Sequence, residues 1–384
     1  MRVGRFLYAG LFALSSAVGM AFALLAEIQT EHNFQTSTLG LIAASGLFGG
    51  VVAQLGLAPL ADRGWLRPLM VGAMVTGAVG SLGFAVATEA WQFVGFRLLS
   101  GVGLGAFFPA AQAVVVNADP ARAGERLGNL SGVQVAGFII GPGLGAVLAN
   151  ASNVDAPFLA TGVVLLVLAP LVSRVAVSSE DPSAPPTPSA MPPKVPIRTL
   201  LRRRNALAAT LLSASLFLPM GTYEAIWSRF MADLGASTLF TGITLSIYGL
   251  PFALIAPIGG RLADRHGTIP VMWASYAVIC PLIAIYGQVT VPGLLATLAV
   301  IEAVGNGLGV PASQALMARA TSEHERATGL GLAGAAGQVT AAFTALVSAP
   351  LYDAVGPRWM FAAVTATIVV VGGAGMVVGI KADE

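Results

Sequence analysis

Four ionisable side chains stand where the chain is otherwise apolar: Arg97, Glu224, Glu302 and, nearer the end of an apolar run, Glu27. At the centre of a membrane span such a group costs about 2.5–3.5 kcal/mol to insert, so one kept there marks an ion or substrate pathway. A carboxyl group out of water is poised to take up and release a proton as its surroundings change. Helical spacing gives each charge a neighbourhood. Glu302, Asn306, Gly309 and Ser313 share one face; Tyr223 and Trp227 flank Glu224; Ser16, Met20, Ala23 and Glu27 form a third stripe. Each has a plainer reading. Glu27 lies close to Glu31 and His32 and can snorkel to the interface. Glu224 can pair with Arg229 structurally, Arg97 can tether backbone carbonyls, and Tyr223 and Trp227 can belong to an aromatic belt facing lipid.

Other chemistries are poorly supplied. Cys280 is the single cysteine and the histidines are three, all beside predicted loops, so neither a disulfide nor a metal cluster is expected. Nothing matches the glycine-lysine phosphate loop, which leaves ATP without a binding motif. No cofactor, no enzyme activity and no nucleic-acid partner are expected; the expected partners are the lipid bilayer, a small-molecule substrate and protons, around a monomer.

The elements that must hold these charges are membrane helices. Hydrophobic residues make up 56% of the 384-residue chain and charged residues 10%, against about 25% charged in soluble domains. Mean hydropathy is +0.80. Spans of roughly 20 apolar residues fall near 6–28, 38–60, 69–88, 91–117, 127–150 and 156–177, then near 205–231, 238–260, 269–288, 292–318, 327–349 and 357–380. Arg2 and Arg5 before the first run resemble the start of a signal peptide, but a duplicated chain needs that span to stay.

The duplication is visible in three places. Leu60-Ala61-Asp62-Arg63 returns as Leu262-Ala263-Asp264-Arg265, 202 positions on (264 − 62). Pro109-Ala110-Ala111-Gln112-Ala113 returns at the same offset as Pro311-Ala312-Ser313-Gln314-Ala315, which makes Gln112 and Gln314 matched cavity candidates. Glu125-Arg126 returns as Glu325-Arg326, 200 positions on (325 − 125). Internal duplication in so apolar a chain points to a transporter built of two parallel repeats. The expected layout is all-α: a six-helix bundle over 1–177, a Pro- and Ser-rich cytoplasmic linker over 178–204, and a second bundle over 205–384. Of 20 basic residues, only Arg229 and Arg358 fall on the side opposite the repeated turns, and Arg97 lies within a span. The positive-inside rule therefore predicts both termini in the cytoplasm of a multi-pass cell-membrane protein. The Arg202-Arg203-Arg204 cluster reads as an anchor for the seventh span or as an anionic-lipid site.

These turns resemble the signature of the major facilitator superfamily between spans two and three. The second copy keeps Gly260, Asp264, Arg265 and Gly267; the first has Ala58 and Trp65 at the glycine positions. The run Arg97-x-x-x-Gly101-x-Gly103-x-Gly105 is similar to the family's span-four signature. Gly132-x8-Gly141-Pro142-x2-Gly145 resembles its span-five antiporter pattern, with Ala146 at the usual last glycine. The resemblance implies a twelve-helix transporter with a midplane cavity. It also implies conformational roles for Asp62, Arg63, Asp264 and Arg265, and for the smooth face of Gly137, Gly141, Pro142 and Gly145. The expectation that follows is proton-coupled efflux of a small amphiphilic compound such as a drug, with uptake of a small organic metabolite by symport as the alternative.

Overall fold

The computed structural model of the chain describes residues 3–57, 60, 65–118, 122–174, 196–322 and 325–383. Asp62 and Arg63, and the linker up to Val195, lie outside the described residues.

Every element among the described residues is helical. Ten of the helices are long and apolar enough to cross a membrane. In the N-terminal half the helices are α1 (Val3–His32), α2 (Thr36–Gly56), α3 (Leu66–Val86), α4 (Ala90–Ala118), α5 (Ala123–Ala151) and α6 (Ala156–Val172). A short helix, α7 (Ile197–Leu201), precedes α8 (Arg204–Asp233), α9 (Thr238–His266), α10 (Thr268–Tyr286) and α11 (Pro292–Ala320). The last stretch, α12 (Arg326–Asp383), is two helices meeting at Gly356, whose φ of 77° lies in a region that only glycine enters cheaply. Its two arms correspond to the runs expected over 327–349 and 357–380. The sixth helix is shorter than expected: it spans 17 residues and ends at Val172, with Ser173 and Arg174 beyond it.

The chain forms two compact units. The first comprises Met1–Pro185 together with Met231–Ser246, so the opening turns of α9 belong to it. The second comprises Pro186–Phe230 and Ile247–Glu384.

In the first unit the helices approach at glycines, because between lipid-solvated helices close van der Waals packing does what hydrophobic burial does in water. Gly101 lies so near the Gly46 carbonyl that no Cβ fits, and Gly105 meets Gly50 in the same way, locking α4 onto α2. On α5, a Cβ at Gly141 would stand 2.6 Å from the Ser16 carbonyl oxygen of α1, and one at Gly145 2.8 Å from Met20 Cγ. Around these contacts Leu7, Leu11, Leu14, Met74, Phe107 and Leu165 form one buried core. A second contains Leu24, Ile28, Phe84, Phe93 and Phe158, with the Phe84 and Phe93 rings edge to face at 5.2 Å.

In the second unit the short α7 buries Leu200 fully. Arg203, just after it, donates from both guanidinium nitrogens to Glu325, at 2.6 and 2.8 Å. The Glu325 carboxylate also accepts the Ser322 backbone N–H at 3.1 Å. The Arg203 guanidinium and that N–H hold the Glu325 carboxyl down to about 2. One arginine of the expected basic anchor thus binds the second copy of the repeated Glu-Arg pair.

Candidate functional site

Glu302 lies ten residues after Pro292, the first residue of α11. At about 1.5 Å per residue that is about 15 Å along the axis, half the ~30 Å hydrocarbon thickness of a bilayer. It is fully buried. An anion at that depth persists only if its oxygens are hydrogen-bonded, and four donors surround it. Tyr223 of α8 and Tyr286, the last residue of α10, donate their hydroxyls to Oε2 at 2.8 and 2.9 Å. Asn306, one turn along on α11, donates Nδ2 to Oε1 at 2.7 Å. Tyr248 of α9 approaches the same oxygen at 3.5 Å, and its hydroxyl accepts from Asn306 Nδ2 at 3.0 Å. The carboxylate is therefore ringed by three phenols and an amide drawn from four helices of one unit.

Aromatic packing fixes the phenols in place. Tyr223 and Trp227 are one turn apart on α8, their rings 5.2 Å apart. Trp227 also packs on Tyr286 at 5.8 Å, and Tyr286 meets Phe361 of α12 edge to face at 5.7 Å. Tyr223 and Trp227 are 8% and 4% exposed, which rules out the lipid-facing reading of both. Trp227 Nε1 is buried with no hydrogen-bond acceptor among the described residues.

The other expected residues lie elsewhere. Arg97 is buried on α4 in the first unit; its Nη1 donates to the Val18 carbonyl of α1 at 3.1 Å. Gly46 makes room for it, since a Cβ there would meet Arg97 Nε at 2.8 Å. This fits the carbonyl-tether reading. Glu27 is exposed and accepts the Thr238 hydroxyl within the first unit. Glu224 is buried beside Tyr223 in sequence but is not among the donors and acceptors on Glu302. Gln112 is partly buried on α4 and Gln314 is exposed on α11; neither joins the ring. Asp264 is exposed at the end of α9 and pairs with Arg319 Nη1 of α11 at 3.2 Å. Arg319 also donates to the Thr268 hydroxyl at 2.5 Å. Arg265 is exposed. Gly137, Gly141, Pro142 and Gly145 are buried on α5, and Ser16 of α1 donates its hydroxyl toward the Gly137 carbonyl at 3.4 Å. No metal-holding group of three or more ligands occurs among the described residues.

Two ring members, Tyr248 and Tyr286, escaped the sequence reading. A signal existed. A tyrosine inside an apolar run needs a partner for its hydroxyl, and five of the chain's six tyrosines lie in its second half.

Comparison with known proteins places this geometry in context. The Major Facilitator Superfamily model matches residues 7–228 and 207–381. The chain is 25% identical over 293 residues to the multidrug resistance protein MdtG of Enterobacter lignolyticus, covering 75% of this chain and 69% of that protein. It is 26% identical over 304 residues to MdtG of Serratia proteamaculans, covering 75% and 71%. Among solved structures, the nucleoside transporter NupG superposes with a TM-score of 0.80 at 13% identity, over 98% of this chain and 99% of that one. A bacterial homologue of the human lysosomal transporter Spinster superposes with a TM-score of 0.79 at 12% identity, over 99% and 95%.

Proposed function

The chain belongs to the Major Facilitator Superfamily, and on that premise we propose that it exports a small amphiphilic compound in exchange for protons carried by Glu302. The observation that carries this is the carboxylate itself: fully buried ten residues into the 29-residue apolar α11, yet held by four donors rather than by a cation. A structural ion pair would match it with a charge. A ring of neutral donors instead tolerates both protonation states, since a phenol can accept as well as donate. With no nucleotide motif in the sequence, the proton gradient is the energy source at hand.

A chain that is 56% hydrophobic suits an apolar-walled cavity for loosely specific recognition of an amphiphile. The relatives named as multidrug resistance proteins support the same substrate class. In this account twelve spans cross the cell membrane with both termini in the cytoplasm, the two arms of α12 supplying the last pair. Alternating access is a rigid-body movement of two six-helix halves. Asp264, through Arg319, and Asp62 in the first repeat act as latches at the cytoplasmic ends of the spans, with Arg63 and Arg265 beside them. Arg97 and the α5 glycine face keep the N-terminal half rigid.

The test is reconstitution. Purified protein in proteoliposomes is given a panel of amphiphilic dyes and drugs, with and without an imposed pH gradient. Some members of the panel should move only when the gradient is present. If every transported compound moved equally well without it, proton coupling would be wrong.

A further inference from the structure

The ring around Glu302 is lopsided. Its Oε2 is closed by two short hydroxyl contacts, from Tyr223 and Tyr286, and both donors are buried. Oε1 has one short partner, Asn306, and one long one, Tyr248 at 3.5 Å. That distance is near the outer limit of a hydrogen bond, so the under-filled acceptor position of the carboxylate faces Tyr248. Tyr248 is also unlike the others in exposure: Glu302, Tyr223, Tyr286, Trp227 and Asn306 are all buried, whereas the Tyr248 side chain is partly exposed.

Resting on the reading of Glu302 as the proton carrier, we propose that Tyr248 is the relay through which the proton enters and leaves it. The step balances without any other reagent. A proton binds a lone pair of the Tyr248 oxygen as the original phenolic proton passes to Glu302 Oε1. Tyr248 is again a neutral phenol, and Glu302 has become a neutral carboxylic acid. Release runs the same step backwards. Asn306 Nδ2, within reach of both Oε1 and the Tyr248 oxygen, holds the two acceptors in line. Among the described residues the groups facing the carboxylate are Tyr223 from α8, Tyr248 from α9, Tyr286 from α10 and Asn306 from α11; from α12 the Phe361 ring packs against Tyr286. Among these groups the proton has one partly exposed way in.

The experiment needs no substrate. Purified protein in lipid nanodiscs is subjected to a pH jump, and the carboxylic-acid C=O band is followed by time-resolved infrared spectroscopy. The band lost in Glu302→Gln is the Glu302 signal. In Tyr248→Phe its amplitude should survive while its rate falls at least about a hundredfold, the low end of the range for removing a positioned proton-transfer group. In Tyr276→Phe, which alters a tyrosine of α10 whose hydroxyl meets Ser215 and not Glu302, the rate should stay near that of the wild type. Thermal unfolding of each variant in the same nanodiscs checks that the fold is kept. A normal rate in Tyr248→Phe, or an equal slowing in Tyr276→Phe, would overturn the relay and leave Glu302 as the carrier. If Glu302→Gln removed no band at all, Glu302 would not change protonation, and the relay and the proposed coupling would both fall.

Discussion

Glu302→Gln should abolish gradient-driven transport while leaving substrate exchange without a gradient near its wild-type rate. Glutamine keeps the size, the Oε1 acceptor and the fit among the ring donors, but it cannot carry a proton. The opposing edge changes from acceptor to donor, so the Tyr223 and Tyr286 hydroxyls at 2.8 and 2.9 Å must turn to accept instead. Phenols can make that turn, so the cost to folding is about 1–3 kcal/mol, the range for disturbing a buried hydrogen-bonded group. The two transport modes are expected to separate because exchange returns a loaded carrier, whereas coupled transport needs the proton step. Uptake into vesicles with an imposed pH gradient, measured beside counterflow in the same preparation, reads both. Equal loss of the two modes would assign Glu302 to substrate binding or folding. Retention of both would place the proton elsewhere, with Glu224 and then Glu27 as the next carboxylates to test.

Gly141→Val should cost most of the transport activity without preventing membrane insertion. The Cα of Gly141 faces the α1 backbone so closely that a first added carbon would sit 2.6 Å from the Ser16 carbonyl oxygen. That neighbour is backbone, which cannot swing aside as a flexible side chain does. Valine adds two further methyls, and overpacking of this kind costs about 1–3 kcal/mol. The helices of the first unit would separate along the Gly137, Gly141 and Gly145 face, loosening the α1–α5 contact. Gly72 on α3 has open space around its Cα, so Gly72→Ala is the control and should transport normally. Expression and insertion are read from the membrane fraction and transport from dye accumulation. Full activity in Gly141→Val would mean that the close α1–α5 packing is dispensable.

Much of the fold is legible in the residue order, because a bilayer makes apolar length the dominant signal. The long runs become helices α1 to α5 and α8 to α11, and the break between the last two runs falls at a glycine with positive φ. The sixth run misleads because Val175 and Val177 extend its apolar character past Ser173 and Arg174, where the helix has already ended. Within the site, Glu302 and Asn306 are legible together, since four-residue spacing on one helix fixes their shared face. Tyr223 and Trp227 are legible as a pair for the same reason, but not as neighbours of Glu302. Spacing along one helix says which residues share a face and not which faces meet. Tyr248 and Tyr286 reach Glu302 from two other helices, so only the packed structure joins them. Glu27 and Gln314 show the converse limit: charge or polarity inside a run, or a repeated motif, does not by itself bury a side chain.

Direction of flow tests the central claim most directly. Membrane vesicles of known orientation are loaded with a compound that the panel shows to be transported, and a proton gradient of either sign is imposed. An exporter driven by protons on Glu302 moves the compound against the protons, reversing when the gradient is reversed and failing in Glu302→Gln. Accumulation on the side toward which the protons move would show symport and contradict the account.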